Sequence, residues 1–204
     1  MKTKCLMYCT KALPNLYKLD ENEFYTDRDT HYNGLALNGK IVAECEVETE
    51  EIEDKVSYFD SWFNEGHHTK TLSNKELKKR SCLSYQDLIK YLGDGEPNEV
   101  IGYALHISNL NVFDKPLSLG ECEKDFKGKP ASHYWIGRLT DNYVDDNWSD
   151  LVNVQRAPQN MMWVWYKGER YVLISIQPKW LCKILNGEKT IECRKRILKE
   201  MMSK

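Results

Sequence analysis

The hydrophobic positions of this chain change period along its length, and the changes mark the elements. Cys5 to Thr10 is a short uncharged run, which predicts a first, interior strand. Ile41 to Glu48 alternates, with Ile41, Ala43, Cys45 and Val47 predicted inward and Val42, Glu44, Glu46 and Glu48 outward. Val100 to Leu110 predicts a strand with Ile101, Tyr103, Leu105 and Ile107 on one face and Gly102, Ala104, His106 and Ser108 on the other. Met161 to Trp165 is apolar throughout, the pattern of a strand buried on both faces. Two helix starts lie between these strands. Ser73 with Glu76, and Ser84 with Asp87, have capping-box spacing, and Leu72 with Leu77 and Leu83 with Leu88 are placed as hydrophobic staples. The second of these helices carries Tyr85, Leu88, Ile89 and Leu92 on one face and should end at Gly93.

Residues Lys11 to Leu37 have no clear period and read as a long loop, whose Tyr17, Phe24, Tyr25, His31 and Tyr32 either offer stacking surfaces or anchor it to the core. Lys115-Pro116 is expected to turn the chain. Leu117 to Val152, with loop signals at Lys127-Gly-Lys-Pro130 and Asp141 to Asp150 around Tyr134-Trp135, reads as a hairpin-type insertion in a single domain of residues 1–204.

The stretch from Tyr171 to Arg196 reads as strand, helix, strand. Tyr171 to Ile176 is apolar and β-rich, and Pro178 suits the first turn of a helix. Trp180 with Ile184 and Leu181 with Leu185 make an apolar stripe, from which Lys179 and Lys183 face away. Asn186-Gly187 stops the helix, and the strand that follows puts Ile191 and Cys193 on one face and Thr190, Glu192 and Arg194 on the other. That polar face, with Lys189 at the turn, gathers an ammonium, a hydroxyl, a carboxylate and a guanidinium. Such a set can serve acid–base chemistry, or can hold a phosphate or a base edge. A solvated Glu–Arg pair is the plainer alternative.

Charge narrows the function classes. The chain has 29 basic and 31 acidic residues in 204, a net charge of -2, so any nucleic-acid contact must be local. The distribution is uneven: Glu44 to Asp54 holds seven acids and no base, while Lys183 to Lys204 holds seven bases and three acids. The odd number of cysteines, seven, without a signal peptide points to reduced thiols in a cytoplasmic protein. Cys5 and Cys9 lack a second pair at zinc spacing and read as buried small hydrophobes, and His67-His68 reads either as a ligand pair or as solvated loop residues. No metal, cofactor or membrane span is expected.

The run Ile-Gln-Pro, helix, then Gly187, Lys189, Thr190, Glu192 and Arg194 resembles the signature of the ASCH family, in the PUA-like superfamily of small β-barrels. The signature normally opens that domain, whereas here it begins at Tyr171. Lys4 to Thr10 and Gly39 to Glu44 resemble the strands that follow it in the family. Tyr103 to Ser108 and Val112 to Pro116 resemble later segments of phage-type members, and Arg156 to Asn160 with Met161 to Trp165 their last strand. The resemblance implies a circularly permuted α+β fold, a mixed and mostly antiparallel β-barrel with peripheral helices, in which Met1 and Lys204 lie close together. It implies binding of RNA or a modified nucleobase or nucleoside. The alternatives are an amidohydrolase of acylated cytidine, a ribonuclease, or a protein-interaction module of a phage or mobile element. Glu192 stands where the hydrolases of this type carry Thr. The expected site takes Lys189, Glu192 and Thr190 as catalytic groups, and Gln177, Lys179, Arg194, Tyr8, Thr10, His106, Arg156 and Gln159 as ligand-binding groups.

Overall fold

The computed structural model describes residues 2–10, 37, 39–53, 68–93, 99–136 and 148–202. The protein is a mixed α+β fold with a large, mostly antiparallel sheet and few, short helices. The strands are β1 (Lys2–Cys9), β2 (Ile41–Glu53), β3 (His68–Thr69), β4 (Val100–Leu117), β5 (Glu123–Phe126), β6 (Lys129–Pro130), β7 (Met161–Tyr166), β8 (Glu169–Ile176) and β9 (Ile191–Arg194). The helices are α1 (Asn74–Ser81), α2 (Tyr85–Leu92), α3 (Ala131–Ile136), α4 (Trp148–Val152) and α5 (Pro178–Leu185). Among the described residues no strand pair closes the sheet into a barrel, and no helix is long and apolar enough to cross a membrane. The aromatic residues of the long loop, His67, and both chain ends, Met1 and Lys204, lie outside the described residues.

The chain gathers into two compact units. The first draws on residues 1–3, 46–109 and 183–204, the second on 4–45 and 110–182. β4 passes from one to the other at Asn109, whose φ of 50° is left-handed and interrupts the regular strand.

In the first unit β3 adds antiparallel to β2, and β9 pairs antiparallel with β4 from Tyr103↔Arg194 to His106↔Ile191. α1 lies against β9. Ile52, Leu77, Leu88, Ala104, Ile191 and Cys193 form the core, with Leu72 and Leu92 at its margin. The two predicted caps differ. Ser84 and Asp87 make the full reciprocal box, whereas Ser73 only accepts from the Glu76 N–H, at 3.4 Å. Gly102 is required by packing, because a Cβ there would sit 2.7 Å from Leu92 Cδ2 and 2.9 Å from the Arg194 carbonyl. Gly102 therefore admits α2 and the neighbouring strand, and Ala104 is itself core.

In the second unit the paired order is β6-β5-β7-β8-β1-β2. β7 and β8 are antiparallel from Met161↔Ile174 to Tyr166↔Glu169, joined by Lys167 and Gly168, both at positive φ as a tight type I′ hairpin turn needs. Lys127-Gly128 repeats this geometry between β5 and β6. β1 lies parallel to β8. Leu6, Tyr8, Ile41, Val164 and Leu173 are in the core of this unit. Two expectations change here. β4 runs on through Lys115-Pro116 to Leu117, where proline at a strand's end costs no essential ladder bond, and the chain turns in the 3-10 segment Leu119–Glu121. β7 is not buried on both faces: Met162, Trp163 and Trp165 are only half-buried, with the Arg170 guanidinium 4.0 Å from the Trp163 ring centroid.

Candidate functional site

The site in the first unit begins with the stop of α5. Gly187, at φ 76°, lets its N–H reach the Ile184 carbonyl, and the Lys189 N–H then bonds the Lys183 carbonyl. This tight exit turns the Lys189 side chain inward, where it is 2% exposed. Its ammonium donates to the Ser81 carbonyl at 2.6 Å. Ser81 is the last residue of α1, so the cation lies at the negative end of the helix dipole.

Lys189 Nζ also lies 3.4 Å from Glu192 Oε2, and Arg194 Nη2 lies 3.0 Å from Glu192 Oε1. Each oxygen of one carboxylate thus faces a different cation. Glu192 and Arg194 share a strand face, as the period-two pattern requires, yet that face is not solvated: all four residues of β9 are buried. Such a cluster is tolerable in a low-dielectric setting only because the charges compensate one another and the Ser81 carbonyl takes a remaining ammonium proton.

Thr190 is held on three sides. Its N–H donates to the Arg80 carbonyl, its carbonyl accepts from Ile107 N–H, and its hydroxyl accepts from Arg80 Nε at 3.1 Å. Cys193, behind the same strand, is pushed up to about 12 by burial, so its sulfur is an unreactive thiol at neutral pH. Tyr91 at the end of α2 stays 42% exposed beside the cluster; burial, then the neighbouring charges, lift its hydroxyl above the ordinary value while Arg194 and a hydrogen bond with the Lys195 backbone oppose the rise. Exposed bases flank β9, Lys75 and Lys79 on α1 and Lys195, Arg196 and Lys199 after the strand.

The remaining expected site residues divide. His106 lies in the same unit, but its Nε2 is 2.9 Å from Glu50 Oε2, so the ring belongs to a second pair. Burial works against the Glu50 charge, yet hydrogen bonds from Thr71, Thr69 and His106 hold that carboxyl below its ordinary value. Gln177, Lys179, Tyr8, Thr10, Arg156 and Gln159 belong to the second unit. Tyr8 is a core side chain there, 6% exposed. Thr10 donates its N–H to the Ile176 carbonyl, and the Gln177 carbonyl accepts from the Trp180 and Leu181 N–H groups of α5. Lys179 lies over the Trp180 ring, and Arg156 and Gln159 are exposed.

Arg80, Ser81 and Tyr91 were not singled out by the sequence. Arg80 carried a usable signal, as the last base of Lys78-Lys-Arg80 at a helix C-terminus. Ser81 acts through its backbone carbonyl and carried none. Among the described residues no group of three or more His, Cys, Asp and Glu side chains converges closely enough to hold a metal ion. No protein-family model, no curated protein and no solved structure matches this chain.

Proposed function

We propose that the first unit binds RNA or a single nucleobase at the Lys189–Glu192–Arg194 cluster, the role implied by the resemblance of its signature to the ASCH family. The observation that carries this reading is the Glu192 carboxylate, fixed between two cations at 3.4 and 3.0 Å with 12% of its side chain exposed. A carboxylate held rigidly is a directional acceptor for the exocyclic amino group of a base, while Lys195, Arg196 and Lys79 take phosphate. In this reading Lys189 and Arg194 are positioning residues.

Hydrolysis is supported less well. A lysine base needs access to substrate, and Lys189 is sealed with its ammonium on the Ser81 carbonyl. A hydroxyl nucleophile needs a neighbouring base, and the Thr190 hydroxyl faces the Arg80 guanidinium. The test is titration of fluorescent single-stranded RNA and of free nucleosides, with acylated cytidine assayed for turnover in parallel. Glu192→Gln should weaken binding by about tenfold, and Lys195→Ala with Arg196→Ala should lower the salt dependence. Unchanged affinity in both variants would refute binding at this site, and turnover that Glu192→Gln abolishes would favour the hydrolase.

A further inference from the structure

The second unit has a cavity of about 460 Å³, where Glu44 and Glu169 approach the Tyr171 hydroxyl at 3.4 and 3.1 Å. Lys115 and Lys167 line it too, and Lys4 covers Glu169, so the chain's own ammonium groups balance its acids. In the first unit an exposed ring stands beside the charges instead. Tyr91 is 42% exposed, the one exposed aromatic among the described residues of that unit.

Single exposed apolar groups are ordinary on a protein surface, but Tyr91 differs in position and in fixation. Leu88 and Leu92 anchor α2 in the core. A Cβ on Gly102 would meet both Leu92 Cδ2, at 2.7 Å, and the Arg194 carbonyl, at 2.9 Å, so the end of α2 and the end of β9 crowd one glycine. Tyr91 and Lys195 adjoin those two residues in the chain. The Tyr91 hydroxyl hydrogen-bonds the Lys195 backbone, and the charges of Glu192 and Arg194 both reach it. The helix end behind the ring is closed by the Gly93 N–H on the Ile89 carbonyl at 2.7 Å.

A phenol tethered at its tip has little rotamer freedom left to lose on binding. An aromatic face held in that way is a stacking surface for any base. The Glu192 carboxylate can read only a base edge, which leaves the two π faces of that base to be covered. In a duplex those faces are already stacked and the cytosine amino group is already paired, whereas an unpaired base offers both.

We infer that Tyr91 is the stacking platform of the site and restricts it to an unpaired base of single-stranded RNA, the ring covering one face while Glu192 accepts from the amino edge. This rests on the nucleobase reading of the cluster. Fluorescence anisotropy of the full chain with a labelled single-stranded RNA, and with the same strand annealed to its complement, tests it at fixed salt. Tyr91→Ala removes the ring, Tyr91→Phe keeps the ring without its hydroxyl, and Leu151→Ala, an exposed apolar residue of the second unit, is the control. Thermal melting checks that each variant is folded. Tyr91→Ala should weaken single-strand binding about tenfold, Tyr91→Phe by no more than about twofold, and the control not at all, with the duplex bound more weakly than the single strand by the parent. An equal loss in Tyr91→Ala and Tyr91→Phe, or a duplex bound as well as the single strand, would overturn the inference. Loss in Glu192→Gln without loss in Tyr91→Ala would overturn it while leaving the nucleobase reading standing, and a parent that binds no RNA or nucleoside would overturn both.

Discussion

In the first unit the Glu192 carboxylate has a cation on each oxygen and keeps only 12% of its side chain exposed, whereas in the second Glu44 and Glu169 share one phenol at the wall of an open cavity. The difference lies in where compensation comes from. A buried carboxylate must find its counter-charges within the chain, because water cannot supply them. One at a cavity wall can leave part of that compensation to solvent or to a ligand. Replacing a cation of the first cluster should therefore strike stability harder than replacing a charge at the cavity wall.

The largest expected effect is at Lys189. Lys189→Met removes the buried ammonium, leaving the Ser81 carbonyl and Glu192 Oε2 uncompensated, and should destabilise the protein by about 3–5 kcal/mol in urea denaturation. Lys4→Met, at the exposed partner of Glu169, should leave the midpoint unchanged. Equal effects would break the contrast. Next is Gly102→Ala. The added Cβ meets the Arg194 carbonyl at 2.9 Å, backbone that cannot swing aside, and about 2 kcal/mol of destabilisation is expected from overpacking.

Acid titration sharpens the comparison further. In the second unit Asp125 accepts from Arg170 Nε, Arg170 Nη2 and Trp165 Nε1, and although burial opposes its charge, these bonds hold the carboxyl below its ordinary 3.8. A lowered carboxyl contributes stability that is complete above the unfolded value and lost as pH falls through the folded one. Asp125→Asn should thus cost about 1.5 kcal/mol near neutral pH, with the gap from the parent closing below pH 3.8. A gap that stays constant with pH would mean that packing, not charge, fixes this hub. The smallest effects are at the caps: Ser84→Ala should cost about 1 kcal/mol and Ser73→Ala less, since only the first box is reciprocal.

Local grammar carried the elements. Gly187 has the left-handed φ read from Asn186-Gly187, Ser84 caps α2 as its spacing requires, and β2 has Ile41, Ala43, Cys45 and Val47 buried, with Val42 buried as well. The site was legible in part. Period two placed Glu192 and Arg194 on one face, but nothing local told that Lys189 is covered, because its partner lies at the end of α1, about 110 residues earlier in the chain. The partner of His106 was illegible for the same reason: Glu50 comes from a different strand, 56 positions away. The cavity of the second unit was illegible because its residues come from β2, β4, β7 and β8, and only the assembled sheet brings them together.

The central claim, that Glu192 accepts from the amino group of a base, is tested most directly by base preference. Fluorescence anisotropy would compare oligocytidylate with oligouridylate of equal length, since cytosine carries an exocyclic amino group where uracil carries a carbonyl. The account predicts that the parent protein prefers oligocytidylate by about 1–3 kcal/mol, and that Glu192→Gln, folded by circular dichroism, loses most of that preference. Equal affinity of the parent for both strands, or a preference that survives Glu192→Gln undiminished, would contradict it.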